Sequence, residues 1–108
     1  MINETLISQV KRKLNITWDD EDTTKRITEI IESAIPDMTH MLGITDSKFD
    51  FSAAGLENTL FLAYCLYEWN HVLDEFEANY ASKLGQAKAK HAVAYHLANS
   101  EVTEDAEE

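Results

Sequence analysis

The stretch DDEDTTKRITEIIESAIPDMTHMLG, Asp19 to Gly43, decides the fold class of this chain. Ile27, Ile30, Ile31, Ala34, Ile35, Met38, Met41 and Leu42 recur at the three- and four-residue spacing of one helix face. The carboxylates Asp19–Asp22 supply an N-cap and a first turn, where a helix favours negative charge. Gly43 is a C-cap candidate. From Asp22 to Leu42 such a helix is about 31 Å long. Pro36 falls inside it and removes one backbone donor, so the spacing predicts either a kink near residues 32–35 or two shorter helices.

Working outward, Leu6, Val10 and Leu14 with Ile7 predict a helix from Asn3 to Leu14, with Lys11, Arg12 and Lys13 at its C-terminal end. Ile16 and Trp18, in the connection that follows, are expected to plug the core. Residues 44–55 form the main loop, with room for a short extended arm. Phe49 and Phe51 there either dock a partner or anchor the loop on the core. A third helix runs from near Ala54 to at least Trp69. Leu56, Leu60, Phe61, Tyr64, Cys65, Leu66, Tyr67 and Trp69 cover most of its circumference. A helix apolar on most sides is either central in its domain or shared between subunits. After a bend at Asn70-His71, a fourth helix is expected from Leu73 to Ala98, with Phe76, Tyr80, Leu84, Ala87, His91, Ala94, Tyr95 and Ala98 on one face. The whole reads as all-α: a small bundle of four main helices, residues 1–98, followed by an acidic tail, residues 99–108.

The 108 residues carry nine Lys and Arg against twenty Asp and Glu, a formal charge of −11. That balance argues against binding nucleic-acid phosphates or an anionic membrane surface, which need a basic face. No apolar run approaches the length of a membrane span, and residues 1–14 lack the apolar core of a signal peptide. Cys65, the one cysteine, cannot form an intrachain disulfide and is expected to be a small core residue in a reducing compartment.

Chemical motifs are sparse. Asp37 with His40, and Glu68 with His71, share the carboxylate-x-x-histidine spacing of di-iron bundles, but no other inward carboxylate is evident to complete such a site. Neither a metal nor a cofactor is expected. His91, on the apolar face of the fourth helix, is expected to be hydrogen-bonded and partly buried. The aromatic run Phe61, Tyr64, Tyr67, Trp69 has no basic interleaving and reads as core or interface, not as a base-stacking platform. No catalytic constellation emerges, so the chain is not expected to be an enzyme.

Several segments in order resemble the head–tail connector (adaptor) family of tailed bacteriophages. They are Leu6-Ile-Ser-Gln-Val-Lys-Arg-Lys-Leu14, Ile16-Thr17 with Asp19–Asp22, and the apolar helix ending Met41-Leu42-Gly43. Next come Tyr64-Cys-Leu-Tyr67 with Trp69-Asn70, then Asp74-Glu-Phe76, Tyr80 and Leu84. The resemblance spans about residues 4 to 98. It implies a structural virion protein in the neck between head and tail, found in the host cytoplasm during assembly. Its partners would be copies of itself in a cyclic, dodecameric ring, the portal protein, and a stopper or tail-completion protein. DNA would pass through the lumen without specific binding, and no membrane is involved. Interface candidates are Phe49, Phe51, Tyr64, Tyr67, Trp69, Phe76, Tyr80 and Tyr95; Glu101, Glu104 and Asp105 are candidates for docking on the tail side. The alternative is a small acidic helical regulator or DNA mimic.

Overall fold

The computed structural model describes residues 3–18 and 20–107, with side chains as far as residue 98. The chain is all-α, and the described residues contain no strand. Its elements are α1 (Glu4–Lys13), α2 (Glu21–Leu42), α3 (Leu56–Trp69), a 3-10 turn (Leu73–Glu75), α4 (Phe76–Asn79) and α5 (Ala81–Glu107).

Each helix boundary has a local cause. The Asn3 side chain accepts the Leu6 amide at 2.8 Å and opens α1. Asp20 accepts the Asp22 amide at 2.9 Å and opens α2. The hydroxyl of Thr23, and after it the Asp22 amide, hold the Asp20 carboxyl below its ordinary pKa. Three helices then end in the same way. Asn15, Gly43 and His71 adopt left-handed φ values of 59°, 68° and 61°. At each of them a pair of amides turns back onto the last turn: Asn15 to Arg12 and Ile16 to Lys11, Gly43 to His40 and Ile44 to Thr39, His71 to Glu68 and Val72 to Tyr67. This double closure satisfies carbonyls that a helix end leaves open.

Pro36 does not divide α2, which runs unbroken for 22 residues. Pro36 lies on the exposed face of α2. Ile31, Ala34 and Met38, fully buried, clamp the opposite face to the core on either side of it.

The expected fourth helix is broken at its start. Residues 73–75 form the 3-10 turn, α4 lasts one turn, and Tyr80 (φ −115°, ψ 17°) interrupts the helix before α5. Packing supplies the reason: the Phe76 ring stacks on Tyr80 with centroids 5.1 Å apart and meets Tyr64 and Tyr67 edge-on at 5.4 and 5.7 Å. The chain bends to seat that ring. At the other end α5 continues to Glu107 without a break between the expected helix and the expected tail.

Helix α3 is the hub. It packs against α1, α2, the 3-10 turn, α4 and α5, which places Leu60, Phe61, Ala63, Tyr64 and Cys65 in the core. One side of it is therefore spent inside the chain, while Leu62, Leu66 and Trp69, which share another face, stay partly exposed. Ile16 is buried as expected, whereas Trp18 is 52% exposed, its indole N–H donating to Thr23 at 3.1 Å. The molecule measures 60 × 28 × 19 Å with a radius of gyration of 16.1 Å. A compact chain of this length would have a radius of about 13 Å; the excess comes from α5, whose length of about 40 Å exceeds the width of the body.

Candidate functional site

The polar centre of the molecule lies between the first turn of α3 and the middle of α5. Gly55, at φ 149°, turns the chain into α3 in a conformation that a side chain would disfavour. Two residues on, Glu57 points inward with 6% of its surface exposed, the only charged residue buried among the described residues. Lys90 Nζ and His91 Nε2 both reach its Oε2 at 2.8 Å. The carboxylate can only accept, so His91 carries its proton on Nε2 in this arrangement. The Phe49 ring packs nearly perpendicular to the imidazole, with ring centroids 5.6 Å apart. Burial works to raise the Glu57 pKa, but Lys90, Glu57's own amide and His91 outweigh it, and the carboxyl sits below its ordinary value.

The 44–55 loop is tied down beside this cluster. Phe51 is buried, stacked on Phe61 with centroids 4.8 Å apart and edge-on to Phe49 at 5.0 Å. Asn58 donates to the Phe51 carbonyl at 2.8 Å and to Gln9 at 2.9 Å, while Gln9 donates to the Ser52 carbonyl at 3.0 Å. Asp46 and Asp50 accept the Lys48 and Ser52 amides, forming two tight turns in place of an extended arm. Phe51 thus anchors the loop on the core, while Phe49 stays partly exposed beside it.

The other interface candidates divide by burial. Tyr64 and Phe76 are core residues. Tyr67, Trp69 and Tyr80 are half-buried. Tyr67 accepts from Asn79 at 3.0 Å, and Trp69 lies under the Arg26 guanidinium at 4.2 Å. Arg26 also donates to the Trp69 carbonyl and to His71 Nε2, at 3.0 and 3.2 Å. Tyr95 is 54% exposed on α5. The side chains of Glu101, Glu104 and Asp105 lie outside the described residues.

One member of each metal-spaced pair is drawn into another contact. Tyr64 donates its hydroxyl to Asp37 at 2.5 Å, and desolvation with this bond raises the tyrosine pKa well above its ordinary value. His40 is exposed, and His71 accepts from Arg26. Among the described residues no group of three or more His, Cys, Asp or Glu could hold a metal ion. Burial, with a smaller contribution from Glu68, pushes the Cys65 thiol up to about 12, so it carries almost no reactive thiolate at neutral pH. No helix among the described residues is long and apolar enough to cross a membrane.

Sequence reasoning located His91 but missed Glu57, the inward carboxylate it receives. The signal was present: Leu60, Phe61 and Tyr64 follow Glu57 at three, four and seven residues, all on one buried helix face. A carboxylate on such a face needs a partner, and a histidine on another apolar face is a natural one.

The cluster binds α5 to α3: Lys90 and His91 share one oxygen of the Glu57 carboxylate. No family model matches the chain, and neither a curated protein nor a solved structure matches it.

Proposed function

We propose that this chain is a structural, non-enzymatic subunit of a phage neck, a head–tail connector that assembles as a ring between the portal and the tail or stopper. The observation that carries the reading is the order and spacing of the resembling segments between Leu6 and Leu84. These segments are the ones that shape the body: Asp20 caps α2, Gly43 closes it, and the Tyr64–Tyr67–Phe76–Tyr80 aromatics set the bend into α5.

Two further features support it. The polar cluster at Glu57 is a clamp between helices, the sort of feature a building block needs. The distal part of α5, residues 92–98, is exposed along its length, a surface that an assembly would cover. Helix α5, exposed over residues 92–98, is the element offered to the ring, the portal or the tail side. A net charge of −11 suits a lumen over which DNA phosphates slide without adhering.

The test is to purify the virion whose genome encodes this chain and count its copies per particle by quantitative mass spectrometry. About a dozen copies, the number that the connector resemblance implies, is the expected result. Absence from the particle would overturn the reading and favour an acidic regulator acting in the infected cell.

A further inference from the structure

The buried contacts of helix α5 with the body lie in its first half. Leu84 and Ala87 are buried, and His91 reaches Glu57; beyond His91 every residue to 98 is exposed. Val93 and Leu97, one helical turn apart, are 57% and 59% exposed. Two large aliphatics so placed form an apolar strip that the rest of the chain does not cover.

The charges along α5 run against its own dipole. Residues 81–100 hold Lys83, Lys88 and Lys90 and no Asp or Glu; residues 101–108 hold five Asp or Glu and no Lys or Arg. The first turn therefore carries a cation, and the sequence of the last turns carries anions, the reverse of what a helix terminus favours. A second α5 laid antiparallel removes both conflicts, because it brings the lysine half of one helix alongside the acidic end of the other. A parallel partner would set like charges together. Matching residues 83–90 of one helix to residues 101–108 of the other centres the pair between Tyr95 and His96. The exposed 92–98 stretch then falls in the middle, with Val93 level with the partner's Ala98 and Leu97 level with the partner's Ala94.

We infer that the occupant of this strip is a second copy of the chain, joined through an antiparallel pair of α5 helices as a two-fold dimer. Such an interface uses the same patch on both copies and closes at two. It is a form of the free subunit, distinct from a ring interface, and does not depend on the connector reading: mass in solution and copy number in a particle are separate measurements.

The experiment is sedimentation equilibrium on the full chain at tens of micromolar, in low and high salt. A dimer is expected, with a dissociation constant that rises as salt screens the end-to-end charges. The K83E/K88E chain, which makes α5 acidic at both ends, should weaken self-association at least about tenfold; circular dichroism would check that it stays helical. For orientation, His96→Cys, near the centre, should form a disulfide-linked dimer, whereas Ala89→Cys should not, since the two copies of residue 89 would lie about 20 Å apart along the pair. A wild-type monomer, an assembly larger than two, a dimer indifferent to K83E/K88E, or cross-linking through Ala89→Cys would each overturn the inference.

Discussion

Replacing Glu57 with Gln tests the clamp between α3 and α5. Glutamine keeps the volume and one acceptor oxygen but loses the charge that two donors share at 2.8 Å. Hydrogen bonds to a charged group contribute about 1.5–3 kcal/mol each when desolvated. Lys90 is 62% exposed at its side chain, so its share falls to the range of a surface pair, at most about 1 kcal/mol. His91 is far less exposed, at 14%, and its bond retains most of its value. The expected loss for Glu57→Gln at neutral pH is about 1–2 kcal/mol, and for Glu57→Ala about 2–3 kcal/mol, because alanine leaves the imidazole N–H without its acceptor. Urea unfolding followed by circular dichroism would measure both.

The pH dependence gives a sharper check. The folded Glu57 pKa lies below its unfolded value near 4.5, so its contribution is present above that value and is lost as pH falls through the folded pKa. The gap between wild type and Glu57→Gln should narrow steadily as the solution is acidified below about pH 4.5. A Glu57→Gln chain as stable as wild type at pH 7, or a gap unchanged in acid, would refute the reasoning.

Three other outcomes are expected. Phe51→Ala should cost about 3–4 kcal/mol, since the ring is 1% exposed and stacked on Phe61; thermal unfolding would show it, and a cost below about 1 kcal/mol would return the ring to the surface. Cys65 should resist a thiol-specific reagent in the native protein and react once denaturant is added, because burial keeps it protonated and covered; rapid native labelling would contradict that. Asn15→Gly should stabilise the protein by about 0.5–1 kcal/mol, as glycine adopts the left-handed φ of 59° without a side-chain penalty; a chemical denaturation midpoint that falls would contradict it.

Helices were legible wherever short-range chemistry decides them. Asp20 and Gly43 punctuate α2 where a side-chain acceptor and backbone freedom predict, and apolar spacing along residues 27–42 identifies the buried face of α2. The break at Tyr80 was not legible, because it follows from seating Phe76 among three other rings, two of them on α3. Phe49 and Phe51 read equally well as anchors or as docking residues until Gln9 and Asn58, distant in the chain, were seen to hold the loop backbone.

By itself, then, the sequence determined an all-α chain, the caps of α2, its acidic charge and the inertness expected of a lone cysteine in an apolar run. Tertiary structure alone decided that α3 buries Leu60, Phe61, Tyr64 and Cys65 at the centre of the molecule, that Glu57 meets Lys90 and His91 across more than thirty residues of chain, and that the strip on α5 stays uncovered. The physical reason is one of range. Spacing of three or four residues records which side of a helix is apolar, whereas the identity of the surface that covers that side depends on how separate helices pack.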